Sequence, residues 1–392
     1  MIVKPKVRNY ICTTAHPIGC KEAVKRQIDV VRSAESQTSS GPKRALIIGG
    51  STGYGLATRI ALAFGSGTST VSLAFERKAS GNRTASAGHY NNTAFMDYAA
   101  DAGLDAWNLN GDAFSREMKD EVVALLRDEV GPIDLLVYSL AAPRRTDENG
   151  EVWRSVIKPV GQAYEGKTLD LSDNSVGTAS LEAATEDEIA STIKVMGGED
   201  WAAWVERLQA EQLLAPNAIT LAYSYIGPEI TQPIYTDGSI GEAKKHLYRT
   251  SEQLNERYGA EPGGLRSFVA INKAIVTQSS AAIPSVGLYI ALLFKQMKAE
   301  GSHEGAIEQM HRMLAEKIYH GSATVEVDKH GFIRMDDWEM EPALQRTIAQ
   351  LWDEVNTDNI HSLADIEGYW NDFYELFGFG LSGIDYDADV EI

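Results

Sequence analysis

Residues Ala45-Leu-Ile-Ile48 run straight into Gly49-Gly-Ser-Thr-Gly53-Tyr-Gly55, and a helical stretch over 56–64 follows. A short run that is apolar at every position fits a central parallel strand, which is buried on both faces. Glycines after such a strand let the backbone turn sharply and come close to a ligand. A helix that opens just beyond them offers its N-terminal amides to an anion. Strand, glycine turn and helix in that order are the context a dinucleotide site requires. The unit predicts an α/β fold with a Rossmann-like, doubly wound parallel sheet.

The glycine spacing, Gly-x-x-x-Gly-x-Gly, is the habit of short-chain dehydrogenase/reductases rather than of most dehydrogenases. The segments downstream continue the βα rhythm. Thr70-Val-Ser-Leu-Ala-Phe75 reads as the second strand, with Glu76 at its end. An acidic residue there, about 20 residues past the glycines, accepts hydrogen bonds from the adenosine ribose and repels a 2′-phosphate. That favours NADH over NADPH, although Arg77 and Lys78 follow at once and offer charge to a phosphate. A third strand over 104–109 ends in Asn110-Gly-Asp-Ala113. Asp112 and the next amide can meet an adenine edge, and Asp112 also suits the N-cap of a helix over 115–130. A fourth strand over 133–139 ends in the small residues Ser139-Leu-Ala-Ala142, where ligands of such sheets sit.

Residues 143–200 interrupt the rhythm as an insertion. Within it, 153–160 and 167–171 read as strands of one hairpin, and 182–195 as a helix. A helix over 200–211, a fifth strand over 218–223 and a sixth over 268–277 follow. The apolar helix 285–297 carries Ile283, Val286, Leu288, Tyr289, Ala291 and Leu292 on or beside it. Acyl-pocket lining and plain core packing account for these equally well. A C-terminal extension, 300–392, reads as a helix (306–319), a strand (324–328), a hairpin-like turn at 329–331 into 332–335, and helices over 340–355 and 366–377. An N-terminal lead-in, 1–42, holds a short strand (7–12), a helix (21–34) and a polar connector (35–42). The chain shows no repeat and no linker, so 1–392 is expected to be one enlarged domain.

Lys and Arg number 36 against 55 Asp and Glu, a formal charge of −19. That argues against a nucleic-acid or membrane-surface binder, both of which need basic patches. No apolar run reaches about 18 residues and no signal-peptide core opens the chain. A cytoplasmic protein without membrane insertion is expected, acting as a monomer. Cys12 and Cys20 flank His16 without a second ligand group, so two buried thiols are expected and no metal.

The chemistry centres on Tyr223-Ser-Tyr-Ile-Gly-Pro-Glu-Ile-Thr-Gln-Pro-Ile-Tyr-Thr-Asp-Gly238 and the helix that follows. Lys244 lies nine positions after Tyr235. A phenol and an ammonium together polarise a carbonyl and donate to the oxygen that gains charge. The ammonium is also expected to pull the phenol below its usual value of about 10. Lys245 would point roughly 100° around the helix from Lys244. Tyr225, just past a strand end, can reach a substrate oxygen as a second donor, while Tyr248 packs. With 16 tyrosines such spacings also arise by chance, and the upstream glycine turn is what singles this pair out.

Several stretches resemble the FabV-type trans-2-enoyl-acyl reductases, the enoyl-[acyl-carrier-protein] and trans-2-enoyl-CoA reductases. They are Ile11-Cys-Thr-Thr-Ala-His-Pro-Ile-Gly-Cys20, 49–55, Asn110-Gly-Asp-Ala-Phe114, Tyr138-Ser-Leu-Ala141, 223–229, 233–238 and Asn272-Lys-Ala-Ile-Val-Thr-Gln278. The resemblance spans essentially the whole chain. That family is an enlarged short-chain reductase with a Tyr-x8-Lys pair, which Tyr235 and Lys244 match. The resemblance implies that Gly49, Gly50, Ser51, Thr52, Gly53 and Tyr54 cradle the NADH pyrophosphate. Phe75 and Glu76 would hold the adenosine, with Asp112 and Ala113 near adenine. Leu140 and Ala141 would flank the cofactor, and Ile275, Val276 and Thr277 would meet its nicotinamide end. Tyr225 would bind substrate, Tyr235 would donate the proton and Lys244 would bind the cofactor. The family carries Ala or Cys at Gly50, a small departure. The implied activity is NADH-dependent reduction of the trans-2 double bond of enoyl thioesters, the last step of a fatty-acid elongation cycle. A carbonyl reductase or alcohol dehydrogenase on the same scaffold is the alternative.

Overall fold

The computed structural model describes residues 1–8, 11–34, 41–147, 149–322 and 324–392. Seven strands make the central sheet: β1 (Arg44–Ile48), β2 (Ser69–Ala74), β3 (Ala106–Asn110), β4 (Ile133–Tyr138), β5 (Leu214–Ser224), β6 (Arg266–Ile271) and β7 (Phe332–Arg334). Their spatial order is β3-β2-β1-β4-β5-β6-β7, and every neighbouring pair is parallel. The order reverses between β1 and β4, which pair from Ala45–Leu135 to Ile48–Tyr138. A doubly wound sheet binds its ligand in the crevice beyond the strand C-termini at that reversal.

The helices are α1 (Pro17–Ser33), α2 (Gly53–Ser66), α3 (Ala87–Asp101), α4 (Arg116–Leu125), α5 (Glu186–Met196), α6 (Glu199–Ala210), α7 (Ser239–Tyr258), α8 (Val286–Glu300), α9 (Ala306–Arg312), α10 (Pro342–Glu354), α11 (Ile360–Leu363) and α12 (Ile366–Glu375). On one face of the sheet, side chains of α1, α2, α3 and α9 bury Val24, Ile28, Leu56, Ile60, Phe95 and Met310 against β1, β4 and β5. On the other, α4, α6 and α7 bury Val122, Trp201, Trp204 and Leu247. Trp201 and Trp204 are wholly enclosed, and truncating such a side chain costs about 3–5 kcal/mol. A third cluster gathers α8, α10 and α12. The buried strand interiors are mainly apolar, as close packing of helices on either side requires, with Thr70, Ser72 and Thr220 buried among them.

Several sequence expectations need correction. The two insertion strands do not pair with each other: Val152–Arg154 pairs with Arg144–Thr146, and Tyr164–Asp170 with Ser175–Leu181. Turn chemistry at Asp170–Ser175 closes the second hairpin locally, with Asp170 Oδ1 accepting from Ser172 N at 2.8 Å. Residues 324–328 form no strand. The turn at 328–332 exists, with Gly331 N donating to Asp328 O at 3.0 Å, but its outgoing strand joins the sheet as β7 beside β6. The N-cap of α4 is Ser115, whose side chain accepts from Met118 N at 3.2 Å. Asp112 instead accepts from Phe114 N at 3.0 Å. The sixth strand stops at Ile271, and 272–277 is irregular. The expected strand over 7–12 is a hairpin of Val7–Arg8 and Ile11–Cys12; residues 9–10, and 35–40 of the polar connector, lie outside the described residues.

Candidate active site

The C-terminal ends of β1, β2, β4, β5 and β6 open on one cavity of about 630 Å³. Its first wall is the glycine turn. Gly49 has φ +88°, and a Cβ there would lie 2.0 Å from Ser139 O. Only glycine meets both demands. The turn leads into α2, whose N-cap Thr52 makes no side-chain capping bond. The first-turn amides of α2 therefore stay available to an anion, which fits a pyrophosphate.

Glu76 lies at the same rim. Its carboxylate accepts from Ser51 Oγ at 2.6 Å and Ser86 Oγ at 2.5 Å. Asn110 ties the end of β3 to Glu76, accepting from Glu76 N at 2.7 Å and donating to Glu76 O at 3.0 Å. Arg77 turns away, its guanidinium donating to Thr84 O at 3.3 Å, and neither Arg77 nor Lys78 lines the cavity. The loop 111–114 is held from behind. The buried Lys119 ammonium donates to Ala113 O and Phe114 O, each at 3.1 Å, and to Asp200 Oδ1 at 2.7 Å. Asp200 also accepts from Tyr138 OH at 3.1 Å.

The opposite wall comes from the segment after β5. Tyr235 and Tyr225 meet edge to face, ring centroids 5.1 Å apart. The Tyr235 hydroxyl makes no hydrogen bond among the described residues, whereas Tyr225 OH donates to Glu339 Oε1 at 3.1 Å. Lys244, on the second turn of α7, donates to Tyr223 O at 3.0 Å. Burial lowers the Lys244 ammonium to about 8. It raises the Tyr235 phenol above its ordinary value, and repulsion from Tyr248 adds to that. This reverses the expectation of an acidified phenol: desolvation sets the direction, and Tyr235 stands as a neutral donor. Lys245 pairs outside with Glu242 at 2.7 Å. Tyr248 packs 4.8 Å from the Phe332 ring and shares a hydrogen bond with Ser224 at 2.8 Å.

Of the candidate residues, Gly49, Ser51, Thr52, Gly53, Tyr54, Phe75, Glu76, Asp112, Ala113, Leu140, Ala141, Tyr225, Tyr235, Lys244, Ile275 and Thr277 all line this cavity. Gly50 and Val276 do not. Gly50 packs back on the sheet, where a Cβ would lie 2.5 Å from Ser72 Oγ, and Val276 is buried with the core around α8. Ile283 and Val286 line the cavity with Ile290; Leu288, Tyr289, Ala291 and Leu292 are core. Ser139, expected beside a ligand, lines it too, whereas sequence reasoning gave no role to Arg144, Asn272 or Lys273, which also line it. Lys273 was visible as a lysine closing the apolar run Phe268–Ile271. It is fully buried and lowered to about 8 by desolvation. Glu339, behind Tyr225, carried no local signal. Among the described residues no group of His, Cys, Asp or Glu is placed to hold a metal; His16 Nδ1 is used to cap α1, accepting from Gly19 N at 3.1 Å.

A glycine turn, the Glu76 carboxylate and a tyrosine–lysine wall thus share one cavity. A family profile for the trans-2-enoyl-CoA reductase catalytic region matches residues 83–319. The chain belongs to the trans-2-enoyl-CoA reductase family. A second profile, the NAD(P)H binding domain of trans-2-enoyl-CoA reductase, matches 2–81. The chain is 50% identical over its whole length to the enoyl-[acyl-carrier-protein] reductase [NADH] of Coxiella burnetii, covering 96% of it. It is 48% identical, again over its whole length, to the trans-2-enoyl-CoA reductase [NADH] of Ruminiclostridium cellulolyticum, covering 98% of that protein. The crystal structure of Clostridium acetobutulicum trans-2-enoyl-CoA reductase in complex with NADH superposes with a TM-score of 0.96 at 43% identity, over 100% of this chain and 98% of that one. A third profile, named an enoyl reductase FAD binding domain, matches 327–390. That segment does not fit a flavin cradle. Its described elements are β7, α10, α11 and α12, with no glycine turn between strand and helix, and its apolar side chains fill the core around α8.

Proposed function

We propose the following division of labour for the NADH-dependent reduction of the trans-2 double bond of enoyl thioesters. When bound, NADH supplies the hydride. The glycine turn and α2 amides hold its pyrophosphate, Glu76 its adenosine ribose, and Asp112 with Ala113 its adenine edge. Leu140 and Ala141 flank it, and Ile275 and Thr277 close the nicotinamide end. Lys244 reaches the second ribose.

As hydride adds to Cβ, negative charge develops on the thioester oxygen. The Tyr235 hydroxyl, free of any other partner among the described residues, donates a hydrogen bond there. A proton from Tyr235 or solvent then reaches Cα and completes the saturated thioester. Tyr225 forms the adjoining wall of the substrate site. Ile283, Val286 and Ile290 offer an apolar surface to the acyl chain.

The observation that carries this reading is the unengaged Tyr235 hydroxyl on the same cavity as Gly49 and Lys244. We read 1–392 as one catalytic unit, because the C-terminal segment reaches the cavity through Leu376. We also place the protein in the cytoplasm as a monomer. Among the described residues no helix is long and apolar enough to cross a membrane. The relatives' names divide between CoA and acyl-carrier-protein substrates. The thioester itself is common to both, so one constellation serves either. The test is steady-state kinetics with matched enoyl-CoA and enoyl-carrier substrates across chain lengths, with simple ketones as controls. Ketone turnover without enoyl turnover would refute the reading.

A further inference from the structure

Glu339 lies between β7 and α10, far in sequence from every residue of the tyrosine–lysine wall, and it is fully buried. Three donors converge on its carboxylate. Tyr225 OH reaches Oε1 at 3.1 Å and Tyr289 OH reaches the same oxygen at 2.7 Å. The Ala274 amide donates to Oε2 at 2.7 Å. The three come from three walls of the cavity: the end of β5, the segment after β6, and α8. Gln345 closes the set, its Nε2 donating to Tyr289 OH at 3.0 Å and to Glu339 O at 2.6 Å. The Thr231 side chain also meets the Tyr225 hydroxyl, while its own proton goes to Pro228 O at 3.2 Å. Gln345 fills an acceptor site of Tyr289, so the Tyr289 proton goes to Glu339. An ionised carboxylate is acceptor-only, so the Tyr225 proton goes there too. Burial raises the Glu339 carboxyl above its ordinary value, and the buried Lys273 ammonium with the Tyr289 and Ala274 donors opposes that and favours the carboxylate.

The Tyr225 ring is also held at its edge. Gly227 has φ +76° and stands so close that a Cβ there would lie 2.8 Å from Tyr225 OH. A phenol fixed at its hydroxyl and its edge cannot turn its proton to the cavity without giving up Glu339. Its neighbour Tyr235 has no such tether.

We propose that Glu339 is a positioning residue of the reductase site: it holds Tyr225 against Tyr235 and directs the Tyr225 proton away from the cavity, leaving Tyr235 as the sole phenolic donor to the thioester oxygen. The inference rests on the enoyl-reductase reading above. It assigns Tyr225 to shape and orientation, and Tyr235 to proton donation. The C-terminal segment thereby acts on the chemistry without touching substrate.

The experiment is a double-mutant cycle of Glu339→Gln and Tyr225→Phe, with wild type and Tyr235→Phe measured beside them on crotonyl-CoA. The amide of Glu339→Gln keeps the shape but must donate where the carboxylate accepted, so it releases the Tyr225 proton. The expected result is a fall in kcat of about tenfold or more in Glu339→Gln, with KM for NADH within about twofold of wild type. In the Tyr225→Phe background the same substitution should change kcat by less than about twofold, because the group it acts through is gone. Multiplicative effects, or a wild-type kcat in Glu339→Gln, would overturn the proposal. Thermal melting of the four proteins without substrate reads the Tyr225–Glu339 contact directly, and additive melting shifts would also overturn it. Should Glu339→Gln fail to fold, Gly227→Ala displaces the same phenol from its other side. It must then lower kcat in the Tyr225 protein at least about tenfold more than in Tyr225→Phe; equal losses overturn the proposal. A wild-type enzyme inactive on enoyl thioesters would instead refute the parent reading, while leaving the melting cycle valid.

Discussion

Lys244 Nζ donates to the backbone carbonyl of Tyr223 across 3.0 Å on the cavity wall, with no carboxylate partner among the described residues. Desolvation lowers it to about 8 against an ordinary 10.5. It therefore carries charge below about pH 8 and loses it above. If that charge holds the cofactor ribose, kcat/KM for NADH should fall as pH rises through about 8. Lys273 titrates in the same range, so the two must be separated. The pH profile of Lys244→Met should lose this limb, and that of Lys273→Met should keep it.

The same lysine costs stability. A folded-state value below the unfolded one means that the unfolded chain binds more protons between about pH 8 and 10.5, so stability rises with pH across that window. At pH 7 the charge opposes folding, by at most about 3 kcal/mol on the size of the shift and less where the open cavity solvates it. Lys244→Met should raise Tm at pH 7 in the apo protein, less at pH 10. Scanning calorimetry at the two pH values checks this. An unchanged or lower Tm at pH 7 would contradict it.

Tyr235→Phe removes one hydroxyl and leaves the ring against Tyr225. The loss of a donor aimed at a developing oxyanion costs about 10²–10³ in kcat. NADH binding, followed by its fluorescence, should stay within about twofold of wild type. Near-normal turnover would remove Tyr235 from the chemistry.

Glu76 holds two serine hydroxyls while Arg77 is engaged elsewhere. A carboxylate so fixed meets a ribose 2′-hydroxyl but repels a 2′-phosphate. Wild-type kcat/KM should favour NADH over NADPH by at least about tenfold, and Glu76→Ala should narrow that ratio, chiefly by losing NADH. Equal kcat/KM for the two cofactors in the wild type would refute the role.

Asp200 neutralises Lys119, whose ammonium also holds the carbonyls of Ala113 and Phe114. Asp200→Ala leaves a buried charge without its partner, and such breaks cost about 3–5 kcal/mol. The loop at the adenine end should loosen with it. Urea titration should show the stability loss, and KM for NADH should rise. Lys119→Met with Asp200→Asn should recover most of the stability but not the KM.

Much of the fold was legible because its signals are local. Strands β1 and β4 end in apolar runs, Ala45–Ile48 and Leu135–Val137, because helices cover both faces, and the glycine turn follows β1 directly because no other residue fits beside Ser139 O. The failures share one cause. Residues 153–160 and 167–171 read as strands, but nothing in a strand names its partner, and the local turn at 170–175 decided the pairing. Residues 332–335 read as the return arm of a hairpin, yet the open edge of β6 took them. Apolar periodicity on α8 could not separate Val286 and Ile290, which face the cavity, from Leu288 and Leu292, which face the core.

By itself the sequence determined the βα order, the glycine turn after β1 and the acidic end of β2, since each is written in adjacent or regularly spaced residues, and it offered Tyr235 and Lys244 as a candidate pair. Only the tertiary structure decided the protonation of that pair. Burial depends on what the rest of the chain places around a group, and here it raises the phenol and lowers the ammonium. Only the tertiary structure, too, brought Glu339 behind Tyr225, 114 positions apart in the chain. A contact across that separation is set by how β5, β7 and α8 pack, and no spacing along the chain records it.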